Sequence, residues 1–150
     1  MYKRQLWAWG NNDFGQLGDG TYDLGTSVPT QIGADNDWTA VAAGAYLSTA
    51  IKADGTLWAW GNNEVGRLGN GTNDQGTNVP VQVGLDRDWV AVDNSKFDIF
   101  EGYTLALKTD GSLWSWGIST AGALALGEGV QSINIPVSYT HLTLPTSDLV

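Results

Sequence analysis

Three near-copies of one phrase punctuate the chain: Leu6-Trp7-Ala8-Trp9-Gly10, Leu57-Trp58-Ala59-Trp60-Gly61 and Leu113-Trp114-Ser115-Trp116-Gly117. Self-similarity at a period of about 50 residues, carried by strand-like words, is the mark of a β-propeller or a related array. The register extends well beyond the phrase. Gly15, Gly66 and Gly122 stand at one fixed offset from it, then Leu17, Leu68 and Leu124, then Pro29, Pro80 and Pro136. Asp37-Trp38-Thr39-Ala40-Val41 matches Asp88-Trp89-Val90-Ala91-Val92, and Ala50–Leu57 matches Ala106–Leu113.

Each unit reads as four short strands. In the second unit they are expected near Trp38–Ala42, Ser48–Lys52, Thr56–Trp60 and Val79–Val83. Alternation along Leu57-Trp58-Ala59-Trp60 sends the two tryptophans to one face and Leu57 and Ala59 to the other. Asp54-Gly55 and Asp110-Gly111 lie between apolar runs and signal hairpins, whose turns need residues tolerant of positive φ. Gly61–Asn78 is rich in Gly, Asn and Thr and reads as loop. Pro80 belongs at a strand start or on an edge, because it donates nothing to a ladder.

A single four-stranded sheet cannot bury both faces, so units must stack with large flat rings between them. All eight tryptophans (Trp7, Trp9, Trp38, Trp58, Trp60, Trp89, Trp114 and Trp116) fall at repeat positions and are assigned to that core. The fold class is therefore all-β, about three four-stranded blades of a propeller. Units are drawn near 6–56, 57–112 and 113–137, and residues 1–137 are read as a partial propeller. Propellers usually close with four to eight blades. The chain is thus expected to be part of a larger ring, or to complete one by self-association through open blade faces. Residues 138–150 leave the register, contain the lone histidine His141, and read as a tail foreign to the repeats.

The net charge of −9 disfavours a general phosphate-binding surface, so no nucleic-acid partner is expected. No stretch is long and apolar enough to span a membrane as a helix, so no membrane partner is expected either. There is no cysteine, which removes disulfide, thiol and Cys-type metal chemistry. No histidine lies in the repeats and no Ser–His or paired-carboxylate motif has a recognisable spacing, so no enzyme and no cofactor is predicted. The loops Asn11-Asn12-Asp13, Asp19–Asp23, Asn62-Asn63-Glu64 and Asn70–Asp74 are oxygen-rich but lack EF-hand spacing, and turn chemistry accounts for them. Gly66-x-Leu68-Gly69-x-Gly71 is not followed by a helix pattern and is rejected as a phosphate cradle.

The pattern Asp-Trp-x-x-Val-x-x-Gly, then Ala-x-Lys-x-Asp-Gly-x-Leu-Trp-x-Trp-Gly-Asn-Asn-x-x-Gly-x-Leu-Gly, then Val-Pro-x-Gln-Val-Gly, resembles the regulator of chromosome condensation repeat, the bacterial form more closely. The resemblance covers roughly residues 6–137 and implies a seven-bladed propeller. Members include a guanine-nucleotide exchange factor, plain interaction modules and a secreted inhibitor of β-lactamases that uses loops at one end of the ring. The family's usual histidine is replaced by Leu47 in Gly44–Ser48 and by Tyr103 in Glu101–Thr104, which argues against nucleotide exchange.

One segment breaks the repeat. Asp93–Glu101 is longer than its counterpart Ala42–Tyr46 and carries Phe97, Ile99 and Phe100. Non-repeating loops on a rigid scaffold are where specificity is placed, and apolar anchors dominate interface energetics. Lys96, Phe97, Asp98, Phe100 and Tyr103 are therefore the candidate binding residues for an unidentified protein partner. A carbohydrate-binding propeller is the rival reading, testable at Tyr22, Tyr46 and Tyr103; nucleotide exchange and a purely structural repeat are the others.

Overall fold

The computed structural model describes residues 4–96, 102–118, 124 and 132–138. Among these residues ten antiparallel strands make three sheets: β1 (Leu6–Asn12) with β2 (Asp23–Ile32); β3 (Trp38–Ala43), β4 (Leu47–Lys52), β5 (Leu57–Gly61) and β6 (Thr77–Gln82); and β7 (Trp89–Asn94), β8 (Gly102–Lys108), β9 (Leu113–Ile118) and β10 (Ser132–Ser138). Strands in each four-stranded sheet follow chain order, as in a meander. The phrase Leu-Trp-x-Trp-Gly forms the third strand of both, so each sequence unit begins midway through a sheet.

Local chemistry sets the boundaries. Gly55 takes φ +79° in the β4–β5 hairpin, Lys52 N–H donates to Thr56 O at 3.0 Å, and Thr56 donates by N–H and hydroxyl to the Asp54 carboxylate at 3.1 and 2.7 Å. Gly111, Ser112 and Asp110 repeat this in β8–β9. Pro29, Pro80 and Pro136 lie on the outermost strands β2, β6 and β10, within the register shifts that separate the paired ends of those strands. A bulge on an edge strand is where a missing N–H costs least.

Two cores lie between sheets. Leu6 and Ile32 meet Trp38, Ala50 and Trp60. Leu47, Ile51, Leu57, Ala59, Leu68 and Val83 meet Trp89, Ala106 and Trp116. Trp60 and Leu57 thus serve opposite faces of one sheet, as the alternation requires. Each buried indole removes roughly 150–250 Å² from water, an upper estimate of about 4–6 kcal/mol per ring. The junctions also share polar contacts. Trp60 Nε1–H donates to Gln16 O and Trp116 Nε1–H to Arg67 O, both at 2.9 Å. Ser48 and Thr104 hydroxyls donate to the same two carbonyls at 2.7 and 3.0 Å.

The assignment of every tryptophan to the core needs correction at two positions. Trp7 and Trp9 are 49% and 60% exposed. They occupy on β1 the places of Trp58 and Trp60 on β5. Among the described residues, β1 pairs with β2 alone, in a sheet of two strands where the other sheets have four.

Candidate functional site

The strand directions divide the loops between two rims. One carries the long β1–β2 and β5–β6 loops and the β3–β4 and β7–β8 connections. The other carries the Asp-Gly hairpins and the segments that join one sheet to the next.

On the long-loop rim, a buried asparagine organises each loop. Asn63 Nδ2 donates to Asn70 Oδ1, Thr72 O, Thr72 Oγ1 and Asp74 Oδ1 at 2.9–3.2 Å, and its Oδ1 accepts from Leu68 N–H at 3.0 Å. Asn12 does the same with Asp19, Thr21, Asp23 and Leu17. The Asn63 amide, with Thr72 and the Gly76 N–H, holds the Asp74 carboxyl below 3.8 against a smaller opposing effect of burial. Asp23 is lowered too, first by the Gly25 N–H and then by Asn12. These carboxylates thus accept bonds from their own loops. Among the described residues no group of three or more His, Cys, Asp or Glu could hold a metal ion.

The insertion rises from a clamped stem. Asn94 stands where the preceding sheet has Ala43. It is buried between sheets, donates to Ala42 O at 3.0 Å, and meets the Thr49 and Thr104 hydroxyls. Ser95 and Tyr103 close the base: Ser95 N–H donates to Tyr103 O and Tyr103 N–H to Ser95 Oγ, each at 2.9 Å. Beneath them lies Arg67, buried so close to Gly102 that a Cβ there would meet its Cζ at 2.7 Å. Of the candidate binding residues, Lys96 is exposed at the mouth of the stem and Tyr103 is half-buried in β8; Phe97, Asp98 and Phe100 lie outside the described residues. Of the other tyrosines, Tyr22 is 56% exposed, and Tyr46 packs edge-on against Phe14 with centroids 5.0 Å apart.

The opposite rim consumes its charge internally. Lys52 Nζ sits 4.8 and 4.7 Å from the Trp38 and Trp58 ring centroids and pairs with Asp35 at 2.6 Å and Asp37 at 3.6 Å. Lys108 repeats the arrangement with Trp89, Trp114, Asp86 and Asp88. Arg87 pairs with Asp54 at 2.6 Å. Among the described residues, the long-loop rim bears Asp13, Asp19, Asp23, Glu64, Asp74 and Asp93 against Arg67, which is buried, and Lys96. Sequence reasoning missed both the asparagine hubs and this asymmetry. Recurrence of Asn at 12 and 63, with Asp at 23 and 74, was the available signal for the hubs.

Comparison with known proteins places these features in context. The regulator of chromosome condensation (RCC1) repeat profile matches residues 5–51 and 54–93, more than half of the chain. A bifunctional serine/threonine-protein kinase/NEDD4-like E3 ubiquitin-protein ligase of Dictyostelium discoideum is 35% identical in an alignment of 133 positions that covers 77% of this chain and 7% of that protein. Human WBSCR16 superposes with a TM-score of 0.76 at 26% identity, over 91% of this chain and 33% of that one. Yeast RCC1 (Prp20), solved bound to Kap60, superposes with a TM-score of 0.77 at 20% identity, over 89% and 32%. The chain thus spans a third or less of each of these proteins.

Proposed function

The chain belongs to the regulator of chromosome condensation (RCC1) repeat family, and from that premise we propose that it is a non-enzymatic platform that binds a protein partner through the long-loop rim. One observation carries the reading. The two rims differ in charge: the hairpin rim neutralises its aspartates with Lys52, Arg87 and Lys108, while the long-loop rim leaves Asp13 and Glu64 without a cation among the described residues. The same rim holds the one non-repeating insertion, on a stem fixed by Asn94, Ser95 and Tyr103. Rigid stems with variable tips suit recognition. Yeast RCC1, of the same fold, has been crystallised with a protein partner, Kap60.

The insertion is the proposed anchor, with Phe97 and Phe100 as apolar contacts flanked by Lys96 and Asp98. The test is affinity for a partner recovered on the immobilised chain, measured before and after Phe97→Ala with Phe100→Ala. Loss of more than about tenfold is the expected result for two central anchors. Unchanged affinity would sink the insertion as the anchor. Nucleotide exchange finds no support at Leu47, which is buried in the inter-sheet core.

A further inference from the structure

We infer that the cavity between the β1–β2 and β5–β6 loops is a socket for one basic side chain, lysine or arginine, presented by a protein partner. The inference rests on the long-loop rim being the contact face, and it names the chemistry that one part of that face recognises. The cavity measures about 340 Å³. Asp13, Phe14 and Tyr22 line it from one loop and Asn62, Glu64, Gln75 and Gly76 from the other. Both loops are fixed by their buried hubs, Asn12 and Asn63, so the walls are set before anything binds.

The chain demonstrates twice what such a set of groups holds. Lys52 lies against two rings and pairs with two carboxylates, and Lys108 does likewise. The cavity brings together the same kinds of groups, the rings of Tyr22 and Phe14 and the carboxylates of Asp13 and Glu64. Among the described residues no lysine or arginine pairs with either acid. Rings and carboxylates attract a cation by charge and by the negative face of the ring. Phe14 is pinned edge-on by Tyr46, at 74° between planes, so its ring is already oriented.

A second, independent feature points to a ligand. Asn62 is 1% exposed, lines the cavity, and its Nδ2 hydrogens have no partner among the described residues. Its counterpart Asn11 donates Nδ2–H to Asp13 at 2.8 Å. Glu64 replaces that aspartate in the second loop; only its main-chain N–H reaches Asn62, at 3.3 Å to Oδ1. One substitution between repeats thus releases both a carboxylate and an amide donor at the same cavity. A buried N–H without an acceptor is costly, and a main-chain carbonyl flanking the partner's basic residue would satisfy it.

The probe is the blocked tripeptide Ac-Gly-Lys-Gly-amide, with its arginine and Nε-acetyl-lysine counterparts, titrated into the isotope-labelled full chain while backbone amide shifts are followed. The expected result is saturable shifts confined to residues 13, 14, 22, 62, 64 and 75, screened by salt. Acetylated lysine should bind at least about fivefold more weakly, since it loses both ring and carboxylate attraction. Glu64→Gln, at an exposed side chain, and Tyr22→Leu should each weaken binding about threefold or more by the same contacts. Equal shifts from the acetylated peptide would overturn the socket. So would shifts spread evenly over Asp19, Asp23 and Asp93, absence of any shift, or a neutral oligosaccharide acting where the lysine peptide does not. Loss of partner binding with the titration intact removes the platform reading alone; partner binding without the titration removes the socket alone.

Discussion

The indole of Trp116 lies flat against Gly69: a Cβ built on that glycine would stand 2.5 Å from Nε1 and 2.8 Å from Cδ1. Trp60 meets Gly18 in the same way across the preceding junction. Gly69→Ala combines a left-handed backbone, φ +73°, with a direct collision. It should cost about 2–4 kcal/mol in urea unfolding. Gly84→Ala, at φ +65° with nothing within 4 Å, should cost only the backbone part, about 1 kcal/mol.

Asn63→Ala removes the hub of a loop. Leu68 N–H loses its acceptor, and Asp74, Thr72 and Asn70 lose a shared donor. A loss of about 2–4 kcal/mol is expected, read as a shift of the urea midpoint.

Stability should fall at both extremes of pH. Asp74 titrates below 3.8 in the folded state because Asn63 donates to it. Its contribution is complete above pH 3.8 and disappears as pH drops through the folded value. Asn63→Ala should therefore flatten part of the acid limb. Burial alone would lower the Lys52 and Lys108 ammonium groups, but Asp35 and Asp37, and Asp86 and Asp88, outweigh it and raise both above 10.5. Their contribution is complete below pH 10.5 and is lost as pH rises through the folded values. Urea midpoints across pH, in wild type and variant, check both limbs.

Lys108→Met keeps the stem but removes the charge held by Trp89, Trp114, Asp86 and Asp88. It should cost about 1–2 kcal/mol and reduce the dependence of stability on salt. Thermal unfolding at low and high ionic strength tests it.

The sheets were legible because Asp54-Gly55 and the alternation in Leu57–Trp60 are local signals, and β3 to β6 fall within two residues of the expected strands. The exposure of Trp7 and Trp9 was not legible. A tryptophan's burial depends on what lies across it, and the phrase around Trp9 is spelled like the phrase around Trp60. Nor could the loops reveal that Asn63 is buried while Asn70 is exposed, since both are ordinary turn residues in sequence. The cavity walls Asp13 and Glu64 are far apart in the chain, and only the packing of one sheet beside the next brings them to one opening.

Trp60 and Trp116 both end on main-chain carbonyls, and every amino acid offers the same carbonyl. The side chain at that position is thereby released to other duties. In the first junction it is the Gln16 amide, which braces Asn11 and Phe14; in the second it is the Arg67 guanidinium, filling the space under Gly102. The fastening repeats while the fitting beside it changes, so neighbouring blades can diverge in what they present without renegotiating how they are joined.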